Sequence, residues 1–126
     1  MTKLELVCPA GTPAALRVAI DVGADAVYMG FRNETNARNF PGLNFSVQEL
    51  DEALDYAHAK GAKVFLAVNT YAMAGNNNPW IEAVDNAAKL KVDAIILADI
   101  GLLDYAHRTY PDLRVHLSVQ ASASNA

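Results

Sequence analysis

Hydrogen-bonding side chains are concentrated in one stretch of this 126-residue chain, Thr35-Asn36-Ala37-Arg38-Asn39-Phe40-Pro41-Gly42-Leu43-Asn44-Phe45. Amide side chains both donate and accept, and an arginine offers a planar fork suited to a carboxylate or phosphate. That set can bind and orient a ligand, but it holds no nucleophile or base. The stretch lies between a strand-like run, Ala26-Val27-Tyr28-Met29-Gly30, and a helix that opens at Ser46. Strand-to-helix connectors in α/β units are usually about two to six residues long, so this one is long enough to carry function. The plainer alternative is a surface loop pinned to the domain by its two phenylalanines.

Further candidates fall at the ends of strand-like runs: Cys8, Tyr28, Asn69, Asp99, His116, Ser118, Gln120 and Asn125. Alternation in the last run places His116, Ser118 and Gln120 on one face and Val115, Leu117 and Val119 on the other. With Asn36, Arg38, Asn44, Asn69, Asp99 and Asn125, these polar residues form the candidate substrate-binding set. Each has a structural rival. Cys8 suits a small buried position, Asp99 a helix N-cap, Arg38 a loop-bracing ion pair, and His116 to Gln120 a satisfied buried network. The sequence contains no GxGxxG, P-loop, HExxH or CxxC pattern, and so no self-contained zinc or iron–sulfur site. Neither a paired-carboxylate spacing nor a Ser/His/Asp or Cys/His arrangement is evident, and the catalytic residues are unassigned.

The elements that must position these residues alternate along the chain. Strands are expected at Leu4–Val7, Asp25–Met29, Lys63–Val68, Asp93–Ala98 and Leu113–Val119. Helices are expected after Thr12-Pro13, after the capping box Ser46-Val47-Gln48-Glu49, from Pro79-Trp80, and from Ile100 to Thr109. Gly23 and Gly61 close the first two helices. Repeated βα units imply a parallel sheet. Because a whole (β/α)8 barrel takes about 250 residues, residues 1–126 read as a single domain that is the N-terminal part of such a barrel. The alternative is a five-stranded flavodoxin-like doubly wound sheet, which lacks its closing helix here. In both, function collects where strands end. The first and fifth strands would be open edges, through which two copies could pair.

Composition narrows the classes. Hydrophobic residues make up 52% of the chain, its net charge is −4, and it has one cysteine. A disordered chain, an internal disulfide and a phosphate-backbone footprint are therefore not expected. No apolar run approaches the roughly 20 residues of a membrane span, and no secretory leader is visible. The expectation is a cytoplasmic domain without nucleic-acid binding by this segment.

Several motifs recur in a familiar order: Cys8-Pro9-Ala10-Gly11, Gly23-Ala24-Asp25-Ala26-Val27-Tyr28, Asn36-Ala37-Arg38-Asn39-Phe40, Asn44-Phe45, Asn69-Thr70, Ala98-Asp99 and His116-Leu117-Ser118-Val119-Gln120-Ala121. They resemble the N-terminal barrel portion of peptidase family U32, the collagenase-like proteases. Thr35 to Phe45 and Ser118 to Asn125 look closest to its UbiU branch. That resemblance implies a role in oxygen-independent ring hydroxylation in ubiquinone biosynthesis, with a homologous UbiV-like partner subunit and a 4Fe-4S cluster. The cluster's cysteines would lie beyond residue 126, so this segment by itself is expected to bind no cofactor and to be inactive. Proteolysis and a non-enzymatic accessory or tRNA-modification barrel are the other readings the family allows.

Overall fold

Strand boundaries follow the apolar runs, and helix boundaries follow the caps. The computed structural model describes residues 5–33, 35–36, 44–72 and 75–117. Its elements are β1 (Val7–Pro9), α1 (Pro13–Asp21), β2 (Ala26–Met29), α2 (Val47–Ala59), β3 (Lys63–Val68), α3 (Asn78–Leu90), β4 (Ala94–Leu97), α4 (Ile100–Thr109) and β5 (Val115–Leu117). The Thr12 hydroxyl accepts from Ala15 N at the start of α1, with Pro13 where a missing N–H costs nothing. Ser46 and Glu49 form the expected capping box on α2. Gly23 and Gly61 take positive φ, 106° and 77°, just past α1 and α2. At the end of α3 that left-handed position is occupied by Lys91, φ 63°.

All strand pairs are parallel, and the sheet order is β1-β2-β3-β4-β5. A flavodoxin-like sheet would place β1 inside, in the order 2-1-3-4-5. The unbroken sequential order is that of a barrel segment, and right-handed crossovers then put every helix on one side. Burial agrees. Val27, Met29, Val64, Leu66, Val68, Ile95 and Leu97 are buried against the helix layer, with Leu16, Leu50, Leu54, Trp80, Val84 and Leu102 from the helices. The opposite face, with Tyr28, Phe65, Ala67, Ile96 and His116, is open or only half-covered.

β2 and β4 start one residue later than expected, at Ala26 and Ala94, and β4 ends at Leu97; the first and fifth strands differ more. The first strand runs through Cys8 and Pro9 instead of stopping at a turn there. Pairing with β2 holds it, with Pro9 opposite Tyr28 and Ala10 N donating to the Tyr28 carbonyl at 2.9 Å. Pro9 is tolerated because the N–H that donates to β2 here is that of Ala10. The described part of the fifth strand is Val115–Leu117.

The aspartates at two helix-to-strand junctions have a shared task. Asp25 Oδ2 accepts from Leu6 N at 2.7 Å, and Asp93 Oδ2 accepts from Val64 N at 2.7 Å. Each carboxylate thus holds the backbone of the preceding strand. His58 Nε2 lies 2.8 Å from the same Asp93 oxygen.

Candidate functional site

The β2–α2 connection is rooted at both ends before it reaches out. Phe31 and Phe45 form a parallel bridge, and both are buried. Phe45 N donates to the Gly30 carbonyl at 3.1 Å, and Arg32 N to the Phe45 carbonyl at 2.9 Å. The Arg32 guanidinium donates both to the Asn44 carbonyl, 3.0 Å, and to Glu49 Oε1, 2.9 Å. Glu49 also accepts from Ser46 N at 2.9 Å. One carboxylate therefore joins the loop's exit to the start of α2. The Ser46 N–H foremost, helped by Arg32, holds its pKa below the ordinary value.

Thr35, Asn36 and Asn44 are the buried polar side chains among the described residues, and all three belong to this connection. Burying an amide or hydroxyl is costly unless it is hydrogen-bonded. The Thr35 hydroxyl and N–H both donate to Asn33 Oδ1, and the Thr35 carbonyl accepts from Asn69 N at 3.1 Å. Asn36 Nδ2 donates to the Phe31 carbonyl at 3.2 Å. Asn44 takes a left-handed φ of 71°, which asparagine tolerates better than most side chains. Its N–H donates to the Gly11 carbonyl in the β1–α1 turn. The loop is thus tied to the ends of β1 and β3.

Around it is a cavity of about 360 Å³, lined among the described residues by Pro9, Ala10, Gly11, Tyr28, Met29, Gly30, Asn36, Asn44, Ala67 and Asn69. It lies at the C-terminal ends of β1, β2 and β3, the end at which barrel and doubly wound folds carry their sites. Four of the sequence candidates, Tyr28, Asn36, Asn44 and Asn69, meet here. None of the lining residues named carries a formal charge at neutral pH.

The other candidates are placed differently. Asp99 ends β4 and caps α4: Oδ1 accepts from Gly101 N at 2.7 Å and Leu102 N at 3.2 Å, while Oδ2 accepts from Ala72 N at 2.9 Å. Its oxygens thus staple the β3–α3 loop to α4. His116 is exposed on the open face, its ring centroid 6.5 Å from that of Phe65. Neither lines the cavity. Cys8 faces the helix layer and packs on the core, not on the rim, because β1 continues through it. Arg38, Ser118, Gln120 and Asn125 lie outside the described residues. Sequence reading missed the Arg32–Glu49 link. The Glu49 half was visible in the capping box, but Arg32 had no signal of its own.

A 4Fe-4S cluster does not fit the residues of this chain. It takes four thiolates, whereas Cys8 is the one cysteine present and is turned into the helix layer. Among the described residues no group of three or more His, Cys, Asp or Glu side chains could hold a metal ion. No described helix is long and apolar enough to cross a membrane.

Comparison with known proteins extends this geometry. DHDPS from Cyanidioschyzon merolae superimposes on 90% of this chain and 45% of its own, with a TM-score of 0.60 at 14% identity. That likeness speaks for the barrel fold alone. The tRNA hydroxylation protein P of Helicobacter pylori is 36% identical over 99% of this chain and 29% of its own length. An uncharacterized protease of Methanocaldococcus jannaschii is 38% identical over 100% of this chain and 30% of its own. A 23S rRNA 5-hydroxycytidine synthase of Escherichia coli is 35% identical over 94% of this chain and 17% of its own. The chain therefore spans less than a third of the length of these relatives. The family model for peptidase family U32 matches residues 11–126, and with the strand order and the loop it encloses, the chain belongs to that family.

Proposed function

We propose that this chain is the N-terminal portion of a hydroxylating U32 protein that acts on a pyrimidine base of structured RNA. The observation that carries the reading is its similarity, along nearly the whole chain, to relatives named for tRNA hydroxylation and for 5-hydroxycytidine synthesis in 23S rRNA. The site is compatible with that role. Amide side chains can hydrogen-bond a base edge from both donor and acceptor positions. A net charge of −4 leaves the RNA backbone to be held elsewhere. This segment would supply one wall of the substrate pocket. A cluster held by cysteines beyond residue 126, and a homologous partner subunit, belong to the same proposal.

Ring hydroxylation of a ubiquinone precursor is the second reading. The segments Thr35 to Phe45 and Ser118 to Asn125 resemble the UbiU branch, and an uncharged pocket accepts a phenolic ring as readily as a base. One experiment separates the two. A deletion strain is grown without oxygen, and its tRNA and rRNA nucleosides and its quinones are measured by mass spectrometry. Loss of a 5-hydroxypyrimidine with unchanged ubiquinone is the expected result. The reverse pattern selects the quinone reading, and no change in either pool sinks both.

A further inference from the structure

We propose that Tyr28 is the stacking platform of the cavity and makes it selective for a neutral, planar six-membered ring with polar groups on its edge. The inference deepens the hydroxylation reading and rests on the same cavity. Alternation along β2 buries Val27 and Met29 on the helix side and leaves Tyr28 on the open face, 37% exposed. Sheet register puts Pro9 on one side of Tyr28 and Phe65 on the other, and the Phe65 ring in turn meets His116 at 6.5 Å. Tyr28, Phe65 and His116 thus form an aromatic row across the open face, and the Tyr28 end of that row borders the cavity. An aromatic side chain at the lip of a cavity, at the C-terminal end of its strand, offers a flat face to a flat ligand.

The rest of the lining fits the same ligand. Pro9, Ala10, Met29 and Ala67 are apolar, the asparagines 36, 44 and 69 are polar without charge, and Gly11 and Gly30 bring backbone close. The volume of about 360 Å³ is near the lower end of small-molecule sites and exceeds the needs of one ring. An anion would enter without a counter-charge from any described lining residue, and desolvating it there is costly. Both a nucleobase and a phenolic quinone precursor have the required chemistry, so the probes must tell them apart.

The test is an NMR titration of the chain with uridine, cytidine, a neutral alkylphenol, benzoate and inorganic phosphate, read at the Gly30 N–H and the Asn69 side-chain amide. A nucleoside should move both resonances. Tyr28→Ala should weaken that binding about tenfold, and Tyr28→Phe should retain it, because stacking is worth on the order of one factor of ten. Asn69→Ala, with the ring platform intact, should also weaken it. The inference is overturned if benzoate or phosphate binds at these resonances as well as the nucleosides do, if no probe binds, or if Tyr28→Ala binds as wild type. Binding of the alkylphenol alone supports the ring platform while removing the RNA reading, so the two can fail separately.

Discussion

A β-carbon on Gly30 would overlap Nδ2 of Asn36 and lie 2.8 Å from its Cγ. Gly30 has no positive φ, so the position is reserved for space, not for backbone freedom. The absent side chain lets the buried Asn36 amide lie against the end of β2 and donate to the Phe31 carbonyl. Gly30→Ala must displace that amide, the end of a short side chain that is buried and held by its bond to Phe31. Overpacking of this kind typically costs about 1–3 kcal/mol. Chemical denaturation should show that loss, and the Asn36 side-chain amide resonances should move more than those of Asn69. A variant as stable as wild type, with Asn36 resonances in place, would show that the close approach is wrong.

Asp99 should matter for stability more than for ligand contact. Its carboxylate caps two N–H groups of α4 and holds Ala72 N across the sheet end. Removing a capping carboxylate costs about 0.5–2 kcal/mol, and the stranded Ala72 donor adds to that. Asp99→Ala should therefore unfold at clearly lower denaturant. Asp99→Ser, which keeps a cap but cannot span to Ala72, should fall between the two. Equal stability of the Ala and Ser variants would remove the capping role.

The fold was legible in the sequence because its signals are local. Thr12-Pro13, the Ser46–Glu49 box and the apolar runs of β3 and β4 each specify their element within a few residues. Choosing between barrel and doubly wound sheet needed strand order, which depends on which edges meet and not on any local pattern. The shift of β1 onto Cys8 and Pro9 has the same origin, since the partner strand sets the register. Lys91 shows the limit of reading glycines as helix stops: it takes the left-handed position that Gly23 and Gly61 fill elsewhere. In the site, Asn36, Asn44 and Asn69 were legible as amides at strand ends. Arg32 was not, because its partners Asn44 and Glu49 lie 12 and 17 residues away and are brought to it by the loop's return.

The Glu49 link gives a pH dependence with a definite sign. Its pKa is lowered from the ordinary 4.5, first by the Ser46 N–H; desolvation, the next effect in size, opposes this, and the hydrogen bond and charge of Arg32 add to the lowering. A carboxyl with a depressed folded pKa contributes stability that is fully present above its unfolded value. That contribution is lost as pH falls below 4.5 and through the folded value. The stability difference between wild type and Glu49→Gln should be constant near neutrality and shrink across that acid window. Arg32→Met should shrink the difference at neutral pH as well. A difference that persists unchanged at pH 2 would mean the carboxylate's charge has no part in rooting the loop.

At the other end of the barrel segment, Tyr105 and Tyr110 both donate to Asp85 Oδ1 at 2.7 Å, their rings set edge to face with centroids 6.4 Å apart. The hydrogen bond to Asp85, then desolvation, then the aspartate's charge push Tyr110 up to about 12 and raise Tyr105 in the same direction. A phenol whose folded pKa is raised contributes stability below its unfolded value of about 10, and that stability is lost as pH rises through the folded value. Ultraviolet titration of tyrosinate should therefore show a late component that disappears in Tyr110→Phe. Asp85→Asn keeps an acceptor but removes the charge, and should bring that component down toward 10. Because the cluster joins α3 to α4 far from the cavity, Asp85→Asn should leave nucleoside shifts at Gly30 and Asn69 unchanged. A Tyr110 that ionises near 10 in the wild-type chain would show that its phenol does not share the Asp85 oxygen.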